Sequence, residues 1–143
     1  MPLTFDGTIL VPAADPDDGE RTAAALAPYL SPSSRVIVVN VIEKAGGAPD
    51  KASVEQREEY AKEIFERARA PLEERAGSVE TAVLFGTDVV ETIFDAAVER
   101  DVDAVVFEPR ESNRFVELLT GDVAHRLVKE ASVPVVALPR NEG

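Results

Sequence analysis

Cysteine is absent from the 143 residues, so neither a disulfide framework nor a thiolate metal site can exist. Histidine occurs once, at His125, where helical spacing places it on a polar face with Arg126 and Lys129. Ser112 and Thr120 therefore lack a histidine base at any evident distance, and serine hydrolysis has no support. No apolar run approaches the ~20 residues needed to cross a bilayer, and the amino terminus lacks a basic-then-apolar signal. The expectation is a soluble cytoplasmic protein without membrane insertion. Two phosphate-binding signatures are also missing, GxxxxGK[ST] anywhere and GxGxxG after the first apolar run. Lysine is scarce, since every basic residue outside Lys44, Lys51, Lys62 and Lys129 is arginine.

Acid is abundant. Asp and Glu total 27 against 15 basic residues, a net charge of −12. That balance repels nucleic acid and anionic membranes, so a nucleic-acid partner is disfavoured. High acid with little lysine points to a cytoplasm rich in salt. A chain of this length forms one ordinary domain, 1–143, and folding should remove roughly 70% of its extended surface from water. No internal repeat, low-complexity tract or linker divides it.

The pattern of apolar residues is clearest from Asp103 to Pro139. Ala104 to Phe107 is a short run rich in valine, Val123, Ala124, Leu127, Val128 and Ala131 recur at helical spacing, and Val135 to Leu138 is a second short run. Upstream, Thr8 to Pro12 reads as a strand. Asp15 suits an N-cap with Pro16 at the first helical position, and Asp17 and Asp18 fall in the first turn, where the helix dipole favours negative charge. Ala23, Leu26, Ala27 and Leu30 give that helix its buried stripe. The acids Asp15, Asp17, Asp18 and Glu20 do not repeat the spacing of a calcium loop and read as capping and solvation.

Arg35 to Ile42 is the strongest strand signal. A flexible connection from Glu43 to Lys51 carries Gly46, Gly47 and Pro49. Ser53 and Gln56 have the form of a capping box, ahead of a stripe of Tyr60, Ala61, Ile64, Phe65, Ala68 and Leu72. Pro71 should kink or restart this helix. Val79 to Phe85 is a strand of mixed polarity, placed near an edge and closed by Gly86. Asp88 and Glu91 open a helix with Val89, Ile93, Phe94 and Ala97 inside.

Strands and helices alternate throughout, which predicts a three-layer, doubly wound α/β domain with a parallel sheet. Ligands of such sheets bind off the carboxyl ends of the strands. The long loop Glu108 to Thr120 lies at that end.

The stretches ILVP, VIVVNVIE, VLFGTDVVETI and 103–139 together make the whole chain resemble a universal stress protein domain. The resemblance implies an adenine nucleotide alpha hydrolase-like fold of five strands in the order 3-2-1-4-5. In the nucleotide-binding branch of the family the loop after the fourth strand follows Gly-x2-Gly-x9-Gly-Ser/Thr and holds the phosphates of ATP. Laid on this chain without gaps, the pattern falls on Glu108, Glu111, Gly121 and Asp122, with Val123 following, so only Gly121 matches. The resemblance also expects an aspartate in the first loop where Ala14 stands between Ala13 and Asp15. At Val41, whose counterpart offers backbone groups to adenine, it is kept.

Glutamate at a phosphate cradle opposes the anion and blocks the backbone approach that glycine allows. Coulomb repulsion at ~5 Å and an effective dielectric near 20 is about 3 kcal/mol per pair. These residues point to the branch that does not hold ATP, acting as a dimeric interaction or regulatory module with no catalysis and no cofactor. The alternative is an ATP-binding or slowly hydrolysing switch, with Arg110 and Arg114 gripping phosphates or magnesium bridging the acids and the nucleotide. A third reading, regulation of a membrane transporter, follows only from the company similar domains keep. Phe115, Val116, Leu118 and Leu119 could form a partner surface or fold over the sheet edge.

Val135, Val136, Ala137 and Leu138 lie between Pro134 and Pro139, which suits an edge strand. The simplest cover for such an edge is a two-fold related copy, and family members resembling this chain often dimerise there. A homodimer through the last strand is expected. Screening of a net charge of −12 predicts that the thermal midpoint rises between dilute buffer and molar KCl; a midpoint that stays flat or falls would remove the salt-rich habitat.

Overall fold

The computed structural model describes residues 3–43, 51–109 and 121–139. Runs of branched apolar residues become the inner strands of one sheet, and the more polar runs become its edges. β1 (Thr8–Pro12), β2 (Arg35–Glu43), β3 (Ser78–Gly86), β4 (Ala104–Phe107) and β5 (Val135–Ala137) alternate with α1 (Pro16–Leu26), α2 (Lys51–Glu73), α3 (Val89–Glu99) and α4 (Gly121–Lys129), and a short 3-10 turn, Ala27–Tyr29, follows α1. The sheet order is β3-β2-β1-β4-β5, with every pairing parallel. Burial follows this order. Val36 to Ile42 of β2 and all of β4 are buried, whereas β3 is half-buried or exposed along its length. A strand covered on both faces reads as continuous apolar sequence, and an edge strand does not.

Alternation sends successive side chains to opposite layers. Ile9, Val11, Val36, Val38, Ala104 and Val106 pack with Leu26, Ile64, Ala68 and Leu72 beneath α1 and α2. Leu10, Ile37, Val39, Val105 and Phe107 pack with Val90, Ile93, Phe94 and Leu127 beneath α3 and α4. The two outer helices α1 and α2 meet at Gly19, where a β-carbon would stand 3.1 Å from Ile64 Cγ2 and 3.2 Å from its carbonyl oxygen. A larger residue would hold the helices apart. Beside this contact, Arg67 reaches both Asp17 at 2.8 Å and Glu20 at 3.1 Å.

Several helix boundaries differ from the sequence reading. α2 already runs from Lys51, so Ser53 lies inside the helix and heads no capping box. Lysine and alanine are good helix formers and carry the pattern further upstream than the cap motif implied. Pro71 does not restart α2, which continues through it to Glu73. Two residues from the end, the only i→i−4 bond it removes is the one to Arg67, and few helical residues follow it. Three residues assigned to apolar stripes are exposed, Tyr60 at 47% and Val128 at 61%, with Ala131 beyond the end of α4. In α3, Val90 is fully buried while Val89 only packs against that layer. The connection containing Gly46, Gly47 and Pro49 lies outside the described residues.

Both N-caps form. Asp15 accepts the N–H of Asp18 at 2.8 Å with Pro16 next to it. Asp88 accepts the N–H of Glu91 at 3.0 Å, and Arg126 of α4 donates to both Asp88 oxygens at 3.1 and 3.0 Å. Arg126 also holds Glu130 at 2.7 Å, so one guanidinium ties the start of α3 to the end of α4. The backbone N–H of Glu91, and after it Arg126, hold the Asp88 carboxyl below the ordinary carboxylate range. A depressed folded-state pKa contributes stability above the unfolded value of about 3.9 and loses it as the pH falls further. Asp88→Ala should cost about 1 kcal/mol at neutral pH, with the gap to wild type closing below about pH 4. Urea titrations at several pH values check this; a gap independent of pH would contradict it.

Candidate functional site

The carboxyl end of β1 sets the shape of the cleft. Pro12 pairs with Val39, and Ala13 donates its N–H to the Val39 carbonyl at 2.9 Å as the last bond between the two strands. β2 runs on to Glu43 beside β3. Because the polar backbone groups of Val39 face β1, the two-residue period turns those of Val41 to the same side, past the point where β1 has stopped. β4 leaves the other side of β1, pairing at Ile9–Ala104 and Leu10–Val105. The cleft therefore opens at the switch point between β1 and β4, the position where open parallel sheets bind ligands.

Two buried polar side chains fix the turn that leaves β1. Asn40 donates from Nδ2 to the Ala13 carbonyl at 2.8 Å, and Asp18 accepts the Ala14 N–H through Oδ2 at 2.8 Å. Ala13 and Asp18 are fully buried and Asn40 is 6% exposed. Asp18 was expected to be solvated in the first turn of α1; instead its carboxylate folds back beneath the turn. A buried backbone carbonyl or N–H left without a partner is costly, and these side chains supply the partners. Asp15, which could stand in for the aspartate expected at Ala14, directs Oδ1 to its own helix as N-cap.

Glu108 follows β4 directly and is 1% exposed. The alternation that puts Ala104 and Val106 beneath α1 carries Glu108 to the same side. Asp18, Thr22, Asn40 and Glu108 are thus four of the five buried polar side chains described, all in the layer beneath α1. Two of them, Asp18 and Glu108, are carboxylates. Leu138 closes the far side of β4 by donating its N–H to the Phe107 carbonyl at 2.8 Å.

Ala13, Ala14, Asp15, Val41 and Glu108 therefore gather at the carboxyl end of the sheet. Gly121 and Asp122 open α4, and Val123 packs against the layer beneath α3 and α4. Arg110, Glu111, Ser112, Arg114 and Thr120 lie outside the described residues, as does the apolar run Phe115, Val116, Leu118 and Leu119. His125 is exposed on α4. Among the described residues no group of His, Cys, Asp and Glu could hold a metal ion, and no helix is long and apolar enough to cross a membrane.

Three residues here escaped the functional reading of the sequence. Asn40 had a visible signal, one amide inside the run VIVVNVI. Asp18 had none that separates it from Asp17. Tyr60, taken for a core residue, stands exposed within reach of the field of the α1 amino terminus; partial burial first, then the carboxylates of Asp15, Glu63 and Asp17, raise the pKa of its hydroxyl.

The five-stranded parallel sheet of order 3-2-1-4-5 flanked by helices is the adenine nucleotide alpha hydrolase-like architecture. The profile of the Universal stress protein family matches residues 7–139, and the chain belongs to that family. Similar solved structures include a universal stress protein from Archaeoglobus fulgidus, 22% identical, covering 96% of this chain and 95% of that one at a TM-score of 0.66. UspA from Lactobacillus plantarum is 18% identical, with 95% and 99% covered and a TM-score of 0.68. No curated protein sequence matches the chain.

Replacing Asn40 by leucine leaves the Ala13 carbonyl without its donor in a buried site. The expected loss is about 1–3 kcal/mol of unfolding free energy, read from chemical denaturation; an unchanged midpoint would show that the turn after β1 is held by other means.

Proposed function

We propose that this chain belongs to the branch of universal stress proteins that does not hold ATP and acts as a homodimeric regulatory interaction module without catalysis of its own. The observation that carries this reading is Glu108, a buried carboxylate at the first glycine position of the family's phosphate loop. A glycine there would give an anion bare backbone; the glutamate gives it a side chain and a negative charge. Repulsion of about 3 kcal/mol per carboxylate at ~5 Å is large beside the roughly 8 kcal/mol of a micromolar complex. Asp15 supports the same reading, since its carboxylate caps α1. The dimer is assigned to β5, which ends the sheet with Val135 and Val136 half-buried and Ala137 exposed.

A second reading rests on Val41. Its backbone edge faces the cleft as adenine recognition requires, and similar folds have been crystallised with nucleotides, the Archaeoglobus fulgidus protein with dAMP and another universal stress protein with cAMP. On this reading the chain is a switch that binds ATP with magnesium, or hydrolyses it slowly, with Arg110 and Arg114 replacing the lost glycines.

Mass spectrometry of the denatured, freshly purified protein separates the two. The first reading predicts no adenine nucleotide in the supernatant and a dimeric mass by light scattering at micromolar protein. Stoichiometric ATP or ADP would overturn it in favour of the switch, and a monomeric mass would remove the dimer.

A further inference from the structure

The two edges of the sheet are not protected alike. β5 is three residues long, bounded by Pro134 and Pro139, and is the edge that the proposed homodimer covers. β3 forms the opposite edge with nine residues, and neither lysine nor proline interrupts it. Its one charged residue, Glu80, is held by Arg35 at the amino end. Thr81, Ala82, Val83 and Leu84 follow without a charge. They pair with Val38, Val39, Asn40 and Val41 of β2 on the inner side, and no described strand pairs with the outer side.

A groove flanks this edge on each face of the sheet. Under α2, a groove of about 720 Å³ is lined by Phe65 and Val83 together with Glu55, Glu58, Glu59 and Lys62. On the α3 side, a groove of about 520 Å³ runs past Leu84 to Glu91, Asp95, Glu99 and Arg100. Carboxylates outnumber cations in both.

We propose that the β3 edge is a strand-addition site for an extended segment of a partner protein that carries basic residues among apolar ones. A strand added to β3 would gain main-chain hydrogen bonds along the edge, and its alternate side chains would enter the two grooves in turn. On one face lysine or arginine lays its stem along Phe65 and Val83 and its charge against Glu55, Glu58 and Glu59, and on the other face apolar side chains meet Leu84. A second copy of this chain fits poorly, because a two-fold pairing would set the Glu55, Glu58 and Glu59 rims against each other in a molecule of net charge −12. This inference gives the interaction-module reading a surface and rests on it. Nucleotide release decides that reading without reference to β3, so the two can fail separately.

The probe is a fluorescein-labelled peptide alternating lysine and valine, matched in length to β3, with a glutamate–valine peptide as control. Titration of the full chain should raise anisotropy for the basic peptide only, with affinity falling as salt screens the pair. Glu55→Gln with Glu58→Gln should weaken it at least roughly tenfold, a difference of about 1.4 kcal/mol. Glu74→Gln with Asp101→Asn removes the same charge elsewhere on the surface and should leave affinity within about twofold. Backbone amide shifts in the wild-type protein should centre on β3 and the facing turns of α2 and α3. Absence of binding, equal weakening by both pairs, shifts centred on another surface, or a peptide-independent doubling of mass that Val83→Arg abolishes would each overturn the proposal.

Discussion

The cleft depends on β1 stopping before its neighbours do. At Pro12 the sheet loses its central strand while β2 continues to Glu43, and everything placed at the carboxyl end follows from that gap. Asn40 and Asp18 close the backbone of the turn by direct hydrogen bonds, so the turn is a built structure and its geometry does not wait for a ligand. The backbone of Val41 is exposed to the gap by the same termination. The backbone edge of Val41 and the buried carboxylate of Glu108 thus lie at the same end of the sheet.

Recognition of a base edge uses backbone groups, which survive almost any side-chain substitution as long as the strand register holds. Recognition of phosphate uses close backbone approach and positive charge, both of which glutamate opposes. Glu108 is buried on the side of the sheet beneath α1, the helix that carries the buried Asp18, so its carboxylate is part of the packing and is more than a surface charge.

Much of this was legible in the sequence. β1 and β4 fall on their apolar runs, and Asp15 and Asp88 cap the helices they precede, because local propensity and tertiary burial ask for the same thing there. The failures share a cause. Tyr60 and Val128 sit at the margin of a helical stripe, and periodicity cannot say how wide a stripe the sheet will cover. Asp18 looks like any acid in a first helical turn; only the path of the chain after β1 brings the Ala14 N–H to it. The strand order and the switch point followed from the family resemblance, since spacing alone does not fix which strands are neighbours.

The two edges of the sheet add a second asymmetry, one short and bounded by proline, the other long and uncharged in its second half. The central claim concerns the cleft between them. Calorimetric titration of the full chain with Mg-ATP, repeated while following the Val41 amide by NMR, tests it most directly. No heat and an unmoved Val41 resonance at millimolar nucleotide are the outcome expected from a sheltered Glu108. One-to-one binding in the micromolar range with a shifted Val41 amide would contradict it.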